Sequence, residues 1–165
     1  MKILSLLLFI SFYSVTLLGQ GKFASATWKS VIGKTCKNEN ELTALKGYTS
    51  LGGSMMSDVA VVEAKSASLY SKGSTVIVLL TLTTADNIIH ILDVIEITNV
   101  LKTQEVKVVD CKDGENEDSR IVALVNQTKD EQWKATKAWL FNLDKSQVEA
   151  LPHQNVSCLG MMGEE

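Results

Sequence analysis

The side chains able to do chemistry are few and widely spaced. Cysteine occurs at Cys36, Cys111 and Cys158, and histidine only at His90 and His153. None of them falls in an HxH, HExxH or CxxC spacing, so the sequence contains no zinc ligand set. A nucleophilic thiol at Cys36 needs a base beside it, and two histidines in the whole chain make one scarce. Serine is abundant, yet no GxSxG occurs and no Ser/His/Asp set suggests itself. The Gly52-Gly53 pair lacks the spacing of a phosphate loop. Asp113, Glu115, Glu117 and Asp118 miss the alternate-position pattern of an EF-hand and read as a solvated turn. No catalytic residue, metal or cofactor is assigned.

Asp93 and Glu96 draw more attention, because they interrupt the most apolar stretch outside the N-terminus, residues 75–101. On a strand they point to opposite faces and cannot share acid–base work. An inward-facing Asp93 must be hydrogen-bonded or paired with a lysine, or its pKa rises. A buried polar anchor is the commoner outcome for such a residue, and a satisfied structural histidine is the commoner outcome for His90. His153 follows Pro152 in a loop and reads as solvated. Trp133, Trp139 and Phe141 form the aromatic group most able to supply a contact face, unless all three are core. The candidate binding residues are therefore Asp93, His90, Trp133 and Trp139.

The elements that must position these residues are mostly strands. Residues 75–83 are β-branched and apolar on both faces, so something must cover both sides. Residues 88–97 hold five isoleucines and a valine, which favours a strand over a helix. As a strand they place Ile89, Ile91, Asp93, Ile95 and Ile97 on one face. Residues 58–70 alternate, and Ser71-Lys72-Gly73-Ser74 supplies hairpin chemistry. Further strands are expected at 105–110, 120–125, 133–143 and 147–151, with a turn at Asp144-Lys145-Ser146 and Cys158 in a closing segment, 155–159. Residues 21–32 read as a first strand or irregular lead-in. A short helix is expected at 41–46, capped by Asn40 and stopped by Gly47. Residues 48–57, rich in Gly and Ser, read as a mobile loop, with Met55-Met56 plugging the core edge or offering a contact. The fold class is mainly β, with α+β as the alternative: an antiparallel sheet of six or more short strands and at most one or two small helices.

The N-terminus has the layout of a secretory leader: a basic Met1-Lys2, an apolar run ILSLLLFI, and a more polar end at Gly19-Gln20. The expected organisation is a signal peptide over residues 1–20 and one β-rich domain over 21–165 with a frayed tail. Cleavage is expected after Gly19 or Gln20, with a second candidate after Ala26. The mature form then has no membrane span, and the expected location is secreted or periplasmic. Export implies an oxidising compartment, where disulfides persist. Three thiols allow one bridge, assigned to Cys111–Cys158 because each follows a short β-like run; the alternatives use Cys36. Asn126-Gln127-Thr128 and Asn155-Val156-Ser157 fit the glycosylation sequon. The net charge of −3, with Arg120 the only arginine among sixteen basic side chains, argues against nucleic acid.

From Asp110 onward a pattern accumulates: Cys111, Asp113-Gly114, the run RIVALV at 120–125, Lys137-Ala138-Trp139, the Asp144-Lys145-Ser146 turn and Asn155-Val156-Ser157-Cys158. With ILDVIEI at 91–97, it resembles a group of small exported bacterial proteins of unassigned function. The resemblance implies a shared fold and export, and no activity. The function expected is a small exported, non-enzymatic binding or interaction protein whose partner is a protein or cell-envelope component. The alternatives are a small-ligand carrier or minor hydrolase with a pocket around Asp93 and His90, or a structural envelope protein.

Overall fold

The structure, a computed structural model, describes residues 21–56 and 63–160. The expected leader and the last five residues lie outside the described residues, as do residues 58–62 at the start of an expected strand. The chain is mainly β, in two antiparallel sheets of five and seven strands.

The first sheet contains β1 (Thr35–Cys36), β2 (Thr49–Met55), β3 (Ala64–Lys72), β4 (Thr75–Thr83) and β5 (Ile89–Ile97), in the order β1-β5-β4-β3-β2. The second contains β6 (Gln104–Val108), β7 (Cys111–Asp113), β8 (Asn116–Glu117), β9 (Ile121–Asn126), β10 (Gln132–Asn142), β11 (Gln147–Leu151) and β12 (Val156–Leu159). Its order is β6-β9-β10-β12-β7-β8, with β11 beside the C-terminal half of β10. No helix among the described residues is long and apolar enough to cross a membrane.

β4 is apolar on both faces because both faces are covered. Val76, Val78 and Leu80 enter the core between the sheets with Val106, Val122, Leu124, Trp139, Phe141 and Val148. Ile77 and Leu79 face the other way, under a cover made by Trp28, Val31, Leu42 and Leu45. Burying each such side chain is worth about 1.5–3 kcal/mol. In that cover the N-terminal segment is the irregular lead-in rather than a first strand, and the expected capped helix is replaced. Residues 21–32 hold one helical turn, α1 (Ala26–Lys29), and the expected 41–46 helix is instead two 3₁₀ turns, Glu39–Glu41 and Thr43–Leu45. Asn38, rather than Asn40, caps the first, accepting the Asn40 N–H at 3.0 Å. The segment is too short for an α-helix to recover its nucleation cost.

β2 corrects a second expectation. The Gly/Ser-rich stretch is a strand paired with β3, with a bulge between Ser50 and Gly52. Gly53 permits the pairing, because a Cβ there would sit 2.5 Å from the Ala67 carbonyl oxygen. Met56 plugs the inter-sheet core while Met55 faces solvent.

Residues 88–97 form a strand, but not with simple alternation. Leu80 pairs with Asp93 and Thr81 with Ile91, so Leu92 is an extra residue in a β-bulge. The bulge swaps faces: Ile89, Ile91 and Val94 share the covered outer side, while Ile95 and Ile97 join the inter-sheet core. A second bulge in β10, at Thr136, acts the same way, with the Thr136 hydroxyl donating to the Leu124 carbonyl at 3.0 Å. It sends Trp133 and Ala135 to the outer face of the second sheet, and Trp139 and Phe141 to the inner face.

Candidate functional site

Asp93 sits where three parts of the chain meet. Its side chain is 1 % exposed, and its carboxylate accepts three backbone N–H groups. Oδ1 takes Gly21 at 2.7 Å and Val94 at 2.8 Å. Oδ2 takes Val148 of β11 at 2.7 Å. β11 has a strand partner only on its β10 side, so its outward N–H would otherwise be an orphan. Burial pushes the Asp93 pKa up, and the donors from Val148, Gly21 and Val94 pull it back. Among the described residues no lysine or arginine forms an ion pair with it. Asp93 is a structural anchor joining the N-terminal segment, β5 and β11.

Glu96 meets the same segment from the other face of β5. Its Oε2 accepts the Ser25 N–H at 2.8 Å, and its own N–H donates to the Phe23 carbonyl at 2.8 Å. Phe23 also bridges to Ile95, so residues 21–25 run beside β5 as a strap.

A second buried carboxylate, Glu39, escaped the sequence reading. It accepts the Ser68 hydroxyl at 2.9 Å and the Tyr70 hydroxyl at 2.5 Å, pinning the 3₁₀ cover to β3. Burial, then the Glu39 hydrogen bond and charge, raise the Tyr70 pKa. Cys36, buried and free, is also pushed up, chiefly by burial and then by Glu39 and Glu41, which makes it a poor nucleophile. Acids three residues from a cysteine in a polar loop gave the sequence reading no sign of this burial.

Cys111 and Cys158 are bonded, at an S–S distance of 2.05 Å. They lie directly opposite each other on β7 and β12. Trp133, the β10 neighbour of Cys158, is core and not an exposed contact. Its indole N–H donates to the Thr128 carbonyl at 3.0 Å, and Lys107 stands over its ring. Gly160 closes the space beside it, since a Cβ there would lie 2.5 Å from the indole nitrogen. The three aromatics are thus core on two different faces, not one cluster. His90 is half-buried between Thr35 of β1 and Leu82 of β4, 3 residues from Asp93 in sequence.

Concavities open beside the second sheet. One, of about 270 Å³, lies beside the disulfide between Val109–Lys112 and Glu117–Ser119. Its floor carries Val109 and Asp110 at φ 67° and 53°, a left-handed pair that a β-branched residue adopts only under strain. Beside it Asp118 is held below the usual carboxylate range by its hydrogen bonds from Arg120, at 2.7 and 2.8 Å. Another, an open groove of about 420 Å³, runs between the strap and β10–β11. Its walls are Phe23, Trp139, Ala138 and Leu151, and its charges are Glu96, Lys137 and His153. Phe23 meets Trp139 edge-on, with ring centroids 6.4 Å apart. Of the four binding candidates this groove takes Trp139 alone, and it adds Phe23, Glu96, Lys137 and His153.

No group of His, Cys, Asp and Glu among the described residues could hold a metal ion. Compared with family models, with curated proteins and with solved structures, the chain matches none.

Proposed function

We propose that this protein is an exported, non-enzymatic binding module whose contact surface is the groove between the strap and β10–β11. The observation that carries the reading is the composition of that groove: two aromatic rings in its wall, with Glu96, Lys137 and His153 exposed or half-exposed around them. An apolar anchor with a few polar groups beside it is the usual chemistry of a recognition site. The partner it suits is a protein or envelope component that presents an apolar side chain flanked by charge. The carrier or hydrolase alternative needed Asp93 or His90 at the base of a pocket. Asp93 is instead consumed by backbone donors, which removes the motive for that alternative.

The test is comparative capture. Wild-type protein and Lys137→Glu, a reversal at an exposed position, are used as bait in material from the native host. The expected result is a discrete partner retained by the wild type and reduced tenfold or more by the variant, about 1.4 kcal/mol. Identical capture by both proteins counts against the groove.

A further inference from the structure

The strap explains what the chain does with its own beginning. Gly21 is buried, and its nitrogen lies 2.7 Å from Asp93 Oδ1. It has φ +71°, and a Cβ there would lie 2.9 Å from Lys29 Cγ and 3.0 Å from Ile32 Cδ1, so a side chain at this position is strained and displaces its neighbours. Cleavage after Ala26 would remove Gly21 from Asp93, Phe23 from Ile95 and Trp139, and Ser25 from Glu96. It would also leave a buried carboxylate with one donor fewer. A buried carboxylate without a cation is costly, and among the described residues none is supplied by a side chain.

We propose that the leader is removed at the Gln20–Gly21 bond, and that the α-ammonium so released on Gly21 is the counter-ion of Asp93. Hydrolysis adds the water's hydroxyl to the carbonyl carbon of Gln20, leaving a carboxylate on the leader. The freed nitrogen takes the protons and becomes –NH₃⁺. A cut before Gly21 places this charge on the atom that already faces Asp93. The ion pair then adds to the contacts that hold the strap, and with it the Phe23 wall of the groove.

The test has two arms on the full mature chain. Intact mass and N-terminal sequencing of the exported protein are expected to show a start at Gly21. A start at Thr27, any other start, or a retained leader overturns the proposal. In the second arm, chains beginning at Gly21 with a free or an acetylated amine are melted side by side. Acetylation keeps an N–H donor and removes the charge, and is expected to lower Tm by about 3 °C or more. The difference is expected to vanish in Asp93→Asn and to persist in Glu96→Gln. Equal melting of the free and acetylated wild-type chains overturns the ion pair, whether or not Asp93→Asn folds.

Discussion

At the residue scale, two buried carboxylates do most of the polar work, and they do it structurally. Asp93 closes the junction of strap, β5 and β11, and Glu39 pins the outer cover to β3. The Glu39–Tyr70 contact has a pH signature. Tyr70 has its folded pKa raised above the model-peptide value of 10.0. Above that value the unfolded chain releases the proton while the folded chain keeps it, so stability falls as pH rises past 10. Urea midpoints are expected to drop between about pH 9 and about pH 11 in the wild type, and to drop less in Tyr70→Phe. Equal slopes for the two proteins would detach the effect from Tyr70. Asp93 was legible in the sequence as a buried anchor, because a lone acid among isoleucines must find donors. Its donors were not, since they come from Gly21 and Val148, far away in sequence and contributing only backbone.

At the element scale, β4 was legible in full. A run of β-branched and leucine residues bounded by Gly73-Ser74 and by Asp86-Asn87 leaves little else for Thr75–Thr83 to form. β5 was legible as a strand, but its bulge at Leu92 was not, because a bulge adds a residue without changing composition. The bulge at Thr136 hid the aromatic placement in the same way. β10 alternates smoothly in sequence from Trp133 to Phe141, yet its two halves face opposite sides. β2 was missed because its glycines and serines carry the signature of a loop, while pairing with β3 overrides the weak propensity. Gly53 measures how close that pairing is. Gly53→Ala pushes a Cβ against the Ala67 carbonyl, a backbone atom that cannot swing away. It is expected to destabilise the protein by about 1–3 kcal/mol in denaturant unfolding. A change within about 0.5 kcal/mol would mean that β2 is loosely held.

At the scale of the whole molecule, the two sheets share one core, and the outer face of each carries its own cover. On the first sheet the cover is the N-terminal segment with its helical and 3₁₀ turns. On the second it is the cluster around Trp133 and the disulfide. The bridge spans a sequence separation of 47, for which chain entropy gives about 4 kcal/mol. Replacing both Cys111 and Cys158 by serine is expected to lower stability by about that amount. Iodoacetamide is expected to label only Cys36 in the unfolded, unreduced wild type. Labelling of three thiols would show the bridge to be absent. The architecture leaves Trp139 and Phe23 as the aromatic wall of an open groove, with Glu96, Lys137 and His153 on its rim, the surface proposed for contact. The most direct measurement of that claim is site-specific photo-crosslinking in the native host, with the reactive group carried at Lys137 or, as a control, at Thr49 on the exposed edge strand β2. A discrete crosslinked species from position 137 and none from position 49 is the predicted result; the same pattern from both positions, or none from 137, contradicts it.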